Sequence, residues 1–525
     1  MGVDIATFSP ERSAASVRTW LGLGVLALPT ALLGLDVTLL YLALPALAAD
    51  LRPSSTQALW IMDAYGFMIA GFLITMGFLG DRIGRRKLLL IGGIGFAAAS
   101  VLAAYSTTPE MLIFARAVLG VAGATLMPST LALISNMFAM PAQRAFAVGI
   151  WATMFAVGMA AGPLVGGLLL ERFWWGSAFL VALPIVAILI VAGPLLLPEY
   201  RDPAGGRLDL ASVALSLLAI LPGIYALKEV ARYGIDLRTV LAFTASIVFA
   251  TAFVRRQLRL GDPLLDVRLF SNRAFTVALL ILLFGLVSVG GTMLLVTQYL
   301  QLVSGFSPLV AGAWMGPPAL MMFLAGIAAP LVARRIRPGL VVGTALAFSA
   351  AGYVLLTIVA PDSGVGLLIA GFSLAYLGLG TIAALGTDLV IGTAPPEKAG
   401  SASAMSEMVQ ELGIALGVAV LGSLTTFIYR REILSELPSD LNASQSDAIA
   451  DGLATTSAIQ DSLPAGVLEQ AQSAFVSGLN GAAIVAALIT TVLAVLSIVA
   501  LRHVGTPETV EAPDAKLMPS AKGEH

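Results

Sequence analysis

Gly77-Phe78-Leu79-Gly80-Asp81-Arg82-Ile83-Gly84-Arg85-Arg86-Lys87 is a polar stretch set between two long apolar ones. Five of the seven residues from Asp81 to Lys87 are charged, and four of those are basic. Leu59–Leu79 precedes the basic segment and Leu88–Tyr105 follows it. A run of about 20 apolar residues makes a helix that crosses the hydrocarbon core of a bilayer. Two such runs joined by a tight basic loop read as a membrane hairpin. The loop belongs on the cytoplasmic face, where Lys and Arg concentrate.

The same pattern extends outward over the whole chain. Before the hairpin comes Trp20–Leu47. After it come Met111–Ile134, Phe146–Leu170, Ala178–Leu197, and the shorter Leu210–Leu227 and Val240–Val254. Phe275–Leu302, Leu309–Val332, Leu340–Ala360, Val365–Ile391, Ala399–Ile428 and Leu479–Leu501 complete the set. These make about fourteen spans, an all-α polytopic membrane protein. Composition agrees: 58% of the 525 residues are hydrophobic and 11% are charged, against about 25% charged in a soluble domain. The polar N-terminal stretch Met1 to Arg18 and the length of the first apolar run predict a retained first span, not a cleaved leader.

Placing both termini in the cytoplasm puts most of the 29 basic residues on that side, and supports an even number of spans. A second tight basic loop, Arg334-Arg335-Ile336-Arg337, joins spans ten and eleven as Arg82–Lys87 joins spans two and three. That spacing predicts two six-helix bundles, residues 1–200 and 273–501, with two further helices inserted at 201–272 and a cytoplasmic tail at 502–525. Transporters hold substrate between pseudo-symmetric halves of this kind, so the other twelve spans are expected to build the path. The longest hydrophilic segment, about 429–477, is placed outside. It carries Glu432, Glu436, Asp440, Asp447, Asp451, Asp461 and Glu469 against Arg430 and Arg431. It reads as a solvated cap, or more sharply as an acidic vestibule; Val467 to Phe475 has amphipathic helical spacing.

Charges within spans narrow the function. A charge at the bilayer centre costs roughly 2.5–3.5 kcal/mol on an insertion scale, so each needs a reason. Asp36, Asp63, Asp388, Glu407 and Glu411 fall inside apolar runs, and Arg116 is the base found there. The acids therefore cannot all be paired. Some face water, take up protons, or do both, because burial favours the neutral form of a carboxyl group. Glu407 and Glu411 are four apart and share a helix face. A shared proton or an organic cation would relieve them. Asp36 reads as a coupling or cation-binding acid, Asp63 as that or as a residue near a span end. Asp388 reads as a solvated end residue or a functional one. Arg116 either neutralises an acid or braces a helix contact through carbonyls. Trp151, Phe155 and Tyr376, with methionines, are candidates for an adaptable apolar wall whose ring faces hold a cation; each fits plain packing equally well.

Two glycine constellations point to gating. Gly77, Gly80 and Gly84 surround Asp81, Arg82 and Arg85, a set suited to close helix approach and a charged latch. Gly158, Gly162, Gly166 and Gly167 flank Pro163 in span five, giving a flat packing face with a kink. Together these strings resemble the major facilitator superfamily. Arg116 with Gly120 is similar to its span-four motif, and Gly162-Pro163 to the motif of its antiporters. Leu35-Asp36-Val37-Thr38 with Ala43-Leu44-Pro45, Trp60-Ile61-Met62-Asp63-Ala64-Tyr65, Asp266-Val267-Arg268-Leu269-Phe270 and Ser406-Glu407 through Glu411-Leu412-Gly413 narrow the resemblance. They are similar to the fourteen-span drug:proton antiporters, which export quaternary ammonium compounds and dyes. The resemblance implies a major facilitator fold, outward export and a proton gradient as the driving force, with no cofactor. It maps Asp36, Asp63, Glu407 and Glu411 onto acids linked to protonation and cation recognition. Some relatives carry another acid in span ten. Here that span has none and reads Pro317-Pro318-Ala319-Leu320-Met321-Met322, which points to monovalent lipophilic cations or neutral drugs.

The expected partners are thus a small drug, protons and the lipid bilayer, handled by a monomer in the cytoplasmic membrane of a bacterium. The net charge of −2 argues against nucleic acid. Cysteine is absent, and the two histidines, His503 and His525, lie in the tail. Thiol chemistry and a membrane metal or histidine relay are therefore not expected. No phosphate-binding loop of a primary pump occurs. Two rival readings stand beside drug efflux: export of a single metabolite such as a self-made antibiotic, and, more remotely, a membrane-embedded enzyme or sensor.

Overall fold

A computed structural model of the chain describes residues 15–201, 209–261, 263–395, 398–435 and 441–502. His503, His525, Glu436 and Asp440, with nearly all of the tail, lie outside the described residues. Fourteen described helices are long and apolar enough to cross a membrane: α1 (Val17–Leu51), α2 (Ser55–Ile83), α3 (Arg85–Ala104), α4 (Pro109–Met137), α5 (Ala142–Arg172), α6 (Ser177–Leu196) and α7 (Leu210–Tyr233), then α8 (Leu237–Arg259), α9 (Arg273–Val303), α10 (Pro308–Ala333), α11 (Pro338–Leu356), α12 (Val365–Thr393), α13 (Ser401–Ile433) and α14 (Val467–Ala500).

The apolar runs mark these helices, but local chemistry sets their ends. In hydrocarbon each backbone group needs an internal partner, which only a helix supplies along one segment. Ser54 caps α2 in a reciprocal box with Gln57, and Asp236 does the same for α8 with Thr239. Most helices run a turn or more past the apolar core, where polar residues hide them from a hydropathy reading. The largest difference is at α14. It starts at Val467, not Leu479, because Val467, Ala471, Ala474 and Phe475 bury one face while Glu469 and Gln470 stay exposed on the other. The hydrophilic segment before it is correspondingly shorter and holds two short helices, Ala443–Asp451 and Leu453–Ala458. Asp447, Asp461 and Glu469 are exposed, which fits a solvated cap, while Asp451 pairs with Arg232 of α7. α10 is interrupted at Met315, before Pro317 and Pro318, where proline disturbs the preceding backbone.

Packing separates lining helices from peripheral ones. α9 is 83% buried over its most apolar window, whereas α8 is 6% buried. α1 packs along α5, α2 along α4, α9 along α13, and α11 along both α12 and α14. α8 leans on α7, and α7 sits against both α2 and α13. Spans one to six meet spans nine to fourteen chiefly at the end away from the Arg82–Lys87 loop. There Gln301 donates to the carbonyl of Leu42 (3.2 Å) and Ser307 to Glu171 (2.7 Å). Gly167 abuts the backbone of Pro308 and Leu309, and Gly312 that of Pro163. At the basic-loop end, a Cβ on Gly77, Gly149 or Gly392 would meet nothing within 4 Å.

The segment before α9 is pinned by Asp266. Its carboxylate accepts from the Arg268 amide (3.2 Å) and pairs with Lys398 at 3.0 Å. Burial opposes ionisation, but Lys398 and the Arg268 amide outweigh it and hold the carboxyl below the usual range. A depressed carboxyl stabilises the fold above its unfolded value of about 3.9, and that contribution is lost as pH falls through the folded value. Lys398 is half exposed, so water screens the pair. Asp266→Ala should cost about 0.5–1 kcal/mol, read as a small fall in unfolding temperature at pH 7 that shrinks as pH falls below the unfolded value.

Candidate functional site

Four helices converge on a group of charges within the bundle. α1 carries Asp36, α2 carries Asp63, α4 carries Arg116 and α13 carries Glu407 and Glu411. Arg116 is buried at 2% exposure and does both things expected of it. Its Nη1 donates to Asp36 Oδ2 (2.8 Å) and its Nε to the Ile61 carbonyl (3.1 Å). The guanidinium also lies 4.5 Å from the Tyr65 ring centroid, a cation–π contact strengthened by desolvation. Tyr65 is therefore a buried member of the site.

The second ion pair was not expected. Asp63 is met by Lys228 of α7, whose Nζ lies 2.9 Å from Oδ1 and 2.8 Å from Oδ2, and neither side chain has exposed surface. The same Nζ stands 3.8 Å from the Trp60 ring centroid. Two expectations change. Arg116 is not the sole base at membrane depth, and the inserted helices are not outside the charge network. Lys228 was hidden because the apolar run stops at Leu227 and Lys228-Glu229 resembles a span end. α7 instead continues to Tyr233.

Glu407 and Glu411 remain without a countercharge. Neither has a hydrogen-bond or ion-pair partner among the described residues. Glu411 is buried at 7% exposure and Glu407 is partly buried. α4 packs against both α1 and α2, and α2 against α13, which brings these charged side chains into one part of the bundle. Four acids and two bases thus share one low-dielectric region, where two like charges do not ionise together readily. The arrangement can exchange a proton or a monovalent cation for the missing positive charge. The backbone of Glu411 and the side chain of Ala415 abut Gly66 of α2, so Glu411 sits at the seam between α2 and α13.

The other candidates divide. Tyr376 lines a small cavity with Thr38, Met159, Met293, Met315 and Met322, and its hydroxyl meets Met293 Sδ at 3.1 Å. Trp151 is not among the lining residues; its indole donates to Thr130 (3.0 Å) between α5 and α4. Phe155 is half-buried, with its carbonyl against Gly34. Asp388 is exposed, toward the basic-loop end of α12. A further cavity lies at the far end between α1, α2, α9 and α13, lined by Leu44, Leu59, Gln298, Thr425 and Asp451. The unpaired glutamates do not line it.

Both glycine constellations have defined places. Asp81, near the end of α2, binds Arg85, the first residue of α3, at 2.6–2.7 Å. Gly84 has φ of 110° where α2 turns into α3, and a Cβ there would meet the Glu199 carboxylate at 2.5 Å. Arg82 is exposed and Gly77 faces open space, so no close helix approach occurs there. Gly158, Gly162 and Gly166 instead press α5 against α1. A Cβ on Gly158 would fall 2.1 Å from the Ala31 carbonyl oxygen, and Thr38 of α1 donates to the Met159 carbonyl at 3.0 Å.

The model of the family described as Major Facilitator Superfamily matches residues 26–418. The chain belongs to the major facilitator superfamily. It is 42% identical to the "Multidrug efflux pump LfrA" of Mycolicibacterium smegmatis over 499 residues, covering 94% of this chain and 99% of that one. It is 33% identical over 476 residues to the "Methyl viologen resistance protein SmvA" of Salmonella typhimurium, covering 87% and 93%. In fold it is similar to a bacterial homologue of the lysosomal transporter Spinster, solved in an inward-facing, unoccupied conformation. That likeness has a TM-score of 0.64 at 16% identity and covers 93% of this chain and 98% of that one. With fourteen spans and such relatives, this facilitator is a multi-pass protein of the bacterial cytoplasmic membrane.

Proposed function

We propose that the chain is a proton-coupled antiporter that exports lipophilic, monovalent cationic drugs, dyes or antiseptics and so confers resistance to them. Its relatives are efflux and resistance pumps, and drug export is the function shared with them. Broad pumps among these relatives favour multidrug export over a dedicated metabolite exporter. The observation that carries the coupling is the Glu407–Glu411 pair, without a countercharge among the described residues, with Glu411 buried at the seam of α2 and α13. A proton or a drug cation supplies the missing charge, and each displaces the other.

With both termini cytoplasmic, the far end is extracytoplasmic. The contacts of Ser307 with Glu171 and of Gly167 with Pro308 then close the outside. Drug enters from the cytoplasm or inner leaflet, displaces protons, and leaves outside once the halves rock. The methionine-lined cavity around Tyr376 offers a wall that adapts to different drugs. No cofactor is needed, and one chain suffices. Moving one charge through 100 mV supplies about 2.3 kcal/mol.

Drug uptake by inverted vesicles tests this. A protonophore should abolish accumulation; undiminished uptake would sink proton coupling. The rocking step has its own check at Gly77, which is uncrowded now but meets the opposite half when the cytoplasmic end closes. Gly77→Val should give wild-type yield yet slow export at least about tenfold. Normal export by that variant would mean the two halves do not close there.

A further inference from the structure

Trp60, Asp63 and Lys228 compose a cation site that already holds a cation. The Lys228 ammonium straddles both Asp63 oxygens at 2.8–2.9 Å and lies 3.8 Å from the Trp60 ring centroid. Trp60 and Asp63 are three apart on α2, so the aromatic face and the carboxylate come from adjacent turns of one helix. A carboxylate beside an indole face is the chemistry that recognises an organic cation. Stability alone explains the pair poorly, since an apolar pair of the same shape is often as stable as a buried ion pair. The location offers a better reason. α7 lies across the junction of α2 and α13, where Phe67, Ile224, Ala415 and Ala419 form an apolar cluster drawn from all three helices. The site thus lies on the seam that a rocking movement would work.

We propose that Lys228 is a tethered stand-in for the exported cation: it occupies the Trp60–Asp63 site when no drug is bound, and a lipophilic monocation displaces it. This rests on the cation export proposed above and gives the inserted helix α7 a part in it. One ammonium satisfies the site, which therefore takes a single positive charge. Displacement frees Lys228 and loosens α7 from α2, so drug occupancy is passed to the helix that bridges the seam.

The wild-type protein in lipid nanodiscs provides the first test. Lysines are reductively methylated with formaldehyde and dimethylamine–borane, with and without tetraphenylphosphonium, whose binding is measured by equilibrium dialysis on the same sample. Saturating tetraphenylphosphonium should raise methylation of Lys228 at least about tenfold, while the exposed Lys87 is unchanged. Bound tetraphenylphosphonium that leaves Lys228 unreactive overturns this inference alone. Absence of cation binding overturns both it and the export reading. A second measurement uses Lys228→Met, which should bind tetraphenylphosphonium about tenfold more tightly and a neutral dye as wild type does. Equal tightening of both ligands, or none, overturns the proposal. Adding Asp63→Asn should erase the gain, and a gain that persists would show that it does not pass through Asp63.

Discussion

Asp36→Asn should remove transport and much of the folded protein together, whereas Glu411→Gln should remove transport and leave the fold. Both changes turn a carboxylate into an amide of the same shape, so the difference lies in what each carboxylate touches. Asp36 holds Arg116, which is 2% exposed and keeps the Ile61 carbonyl and the Tyr65 and Phe179 rings, none of them charged, when its counterion goes. Removing one partner of a buried ion pair costs about 3–5 kcal/mol, because the other charge is left uncompensated. That is a large share of a typical stability of about 5–15 kcal/mol. Glu411 holds no partner among the described residues, so its amide strands nothing. Size-exclusion yield and thermal unfolding should separate the two variants, and vesicle efflux should show both at background. Asp36→Asn combined with Arg116→Met should recover the yield without the transport. A single Asp36→Asn variant as stable as wild type would show that Arg116 finds another counterion.

The apolar runs and the loop charges made the helix count and the fold class legible, because a bilayer imposes one length and one backbone solution on every span. Asp36 and Arg116 were legible for a related reason: a charge inside an apolar run stands out. Lys228 was not, because it lies where the run fades, and a hydropathy reading cannot distinguish a span end from a buried base that has a partner on another helix. Asp63 lies on α2 and Lys228 on α7, 165 positions later, and nothing local in either segment announces the pairing. The start of α14 was missed on similar grounds, since a helix with one wet face looks like a loop. The glycines of α5 were legible as a packing face by their spacing, yet the face they address was not. Three of them meet α1, while Gly167, next to Gly166, meets α10.

That division makes alanine substitution in α5 a strong discriminator. Gly158→Ala should sharply lower the yield of folded protein and its unfolding temperature. Its Cβ would stand 2.1 Å from the Ala31 oxygen and 3.0 Å from the Leu35 nitrogen, both backbone atoms, and Gly34 of α1 is pressed against the Phe155 carbonyl in return. No side chain can move aside, so α1 and α5 would have to separate along the length over which Thr38 also binds Met159. Forcing a methyl into a packed interface costs about 1–3 kcal/mol and occasionally more, and backbone on both sides puts this position at the upper end. Gly167→Ala meets equally rigid atoms, the Pro308 oxygen at 2.5 Å and the Leu309 Cα at 2.6 Å. That contact joins two halves proposed to part in each cycle, so the methyl has an escape that Gly158 lacks. Gly167→Ala should fold and shift the population toward the outward-open state, and about 3 kcal/mol is worth roughly 150-fold in that equilibrium. The chain has no cysteine, so Ala311→Cys gives one thiol, buried next to Gly312 at the closed outer contact. Its labelling by an impermeant maleimide should rise in the Gly167→Ala background. Unchanged labelling with intact yield would mean that α5 and α10 do not separate during transport.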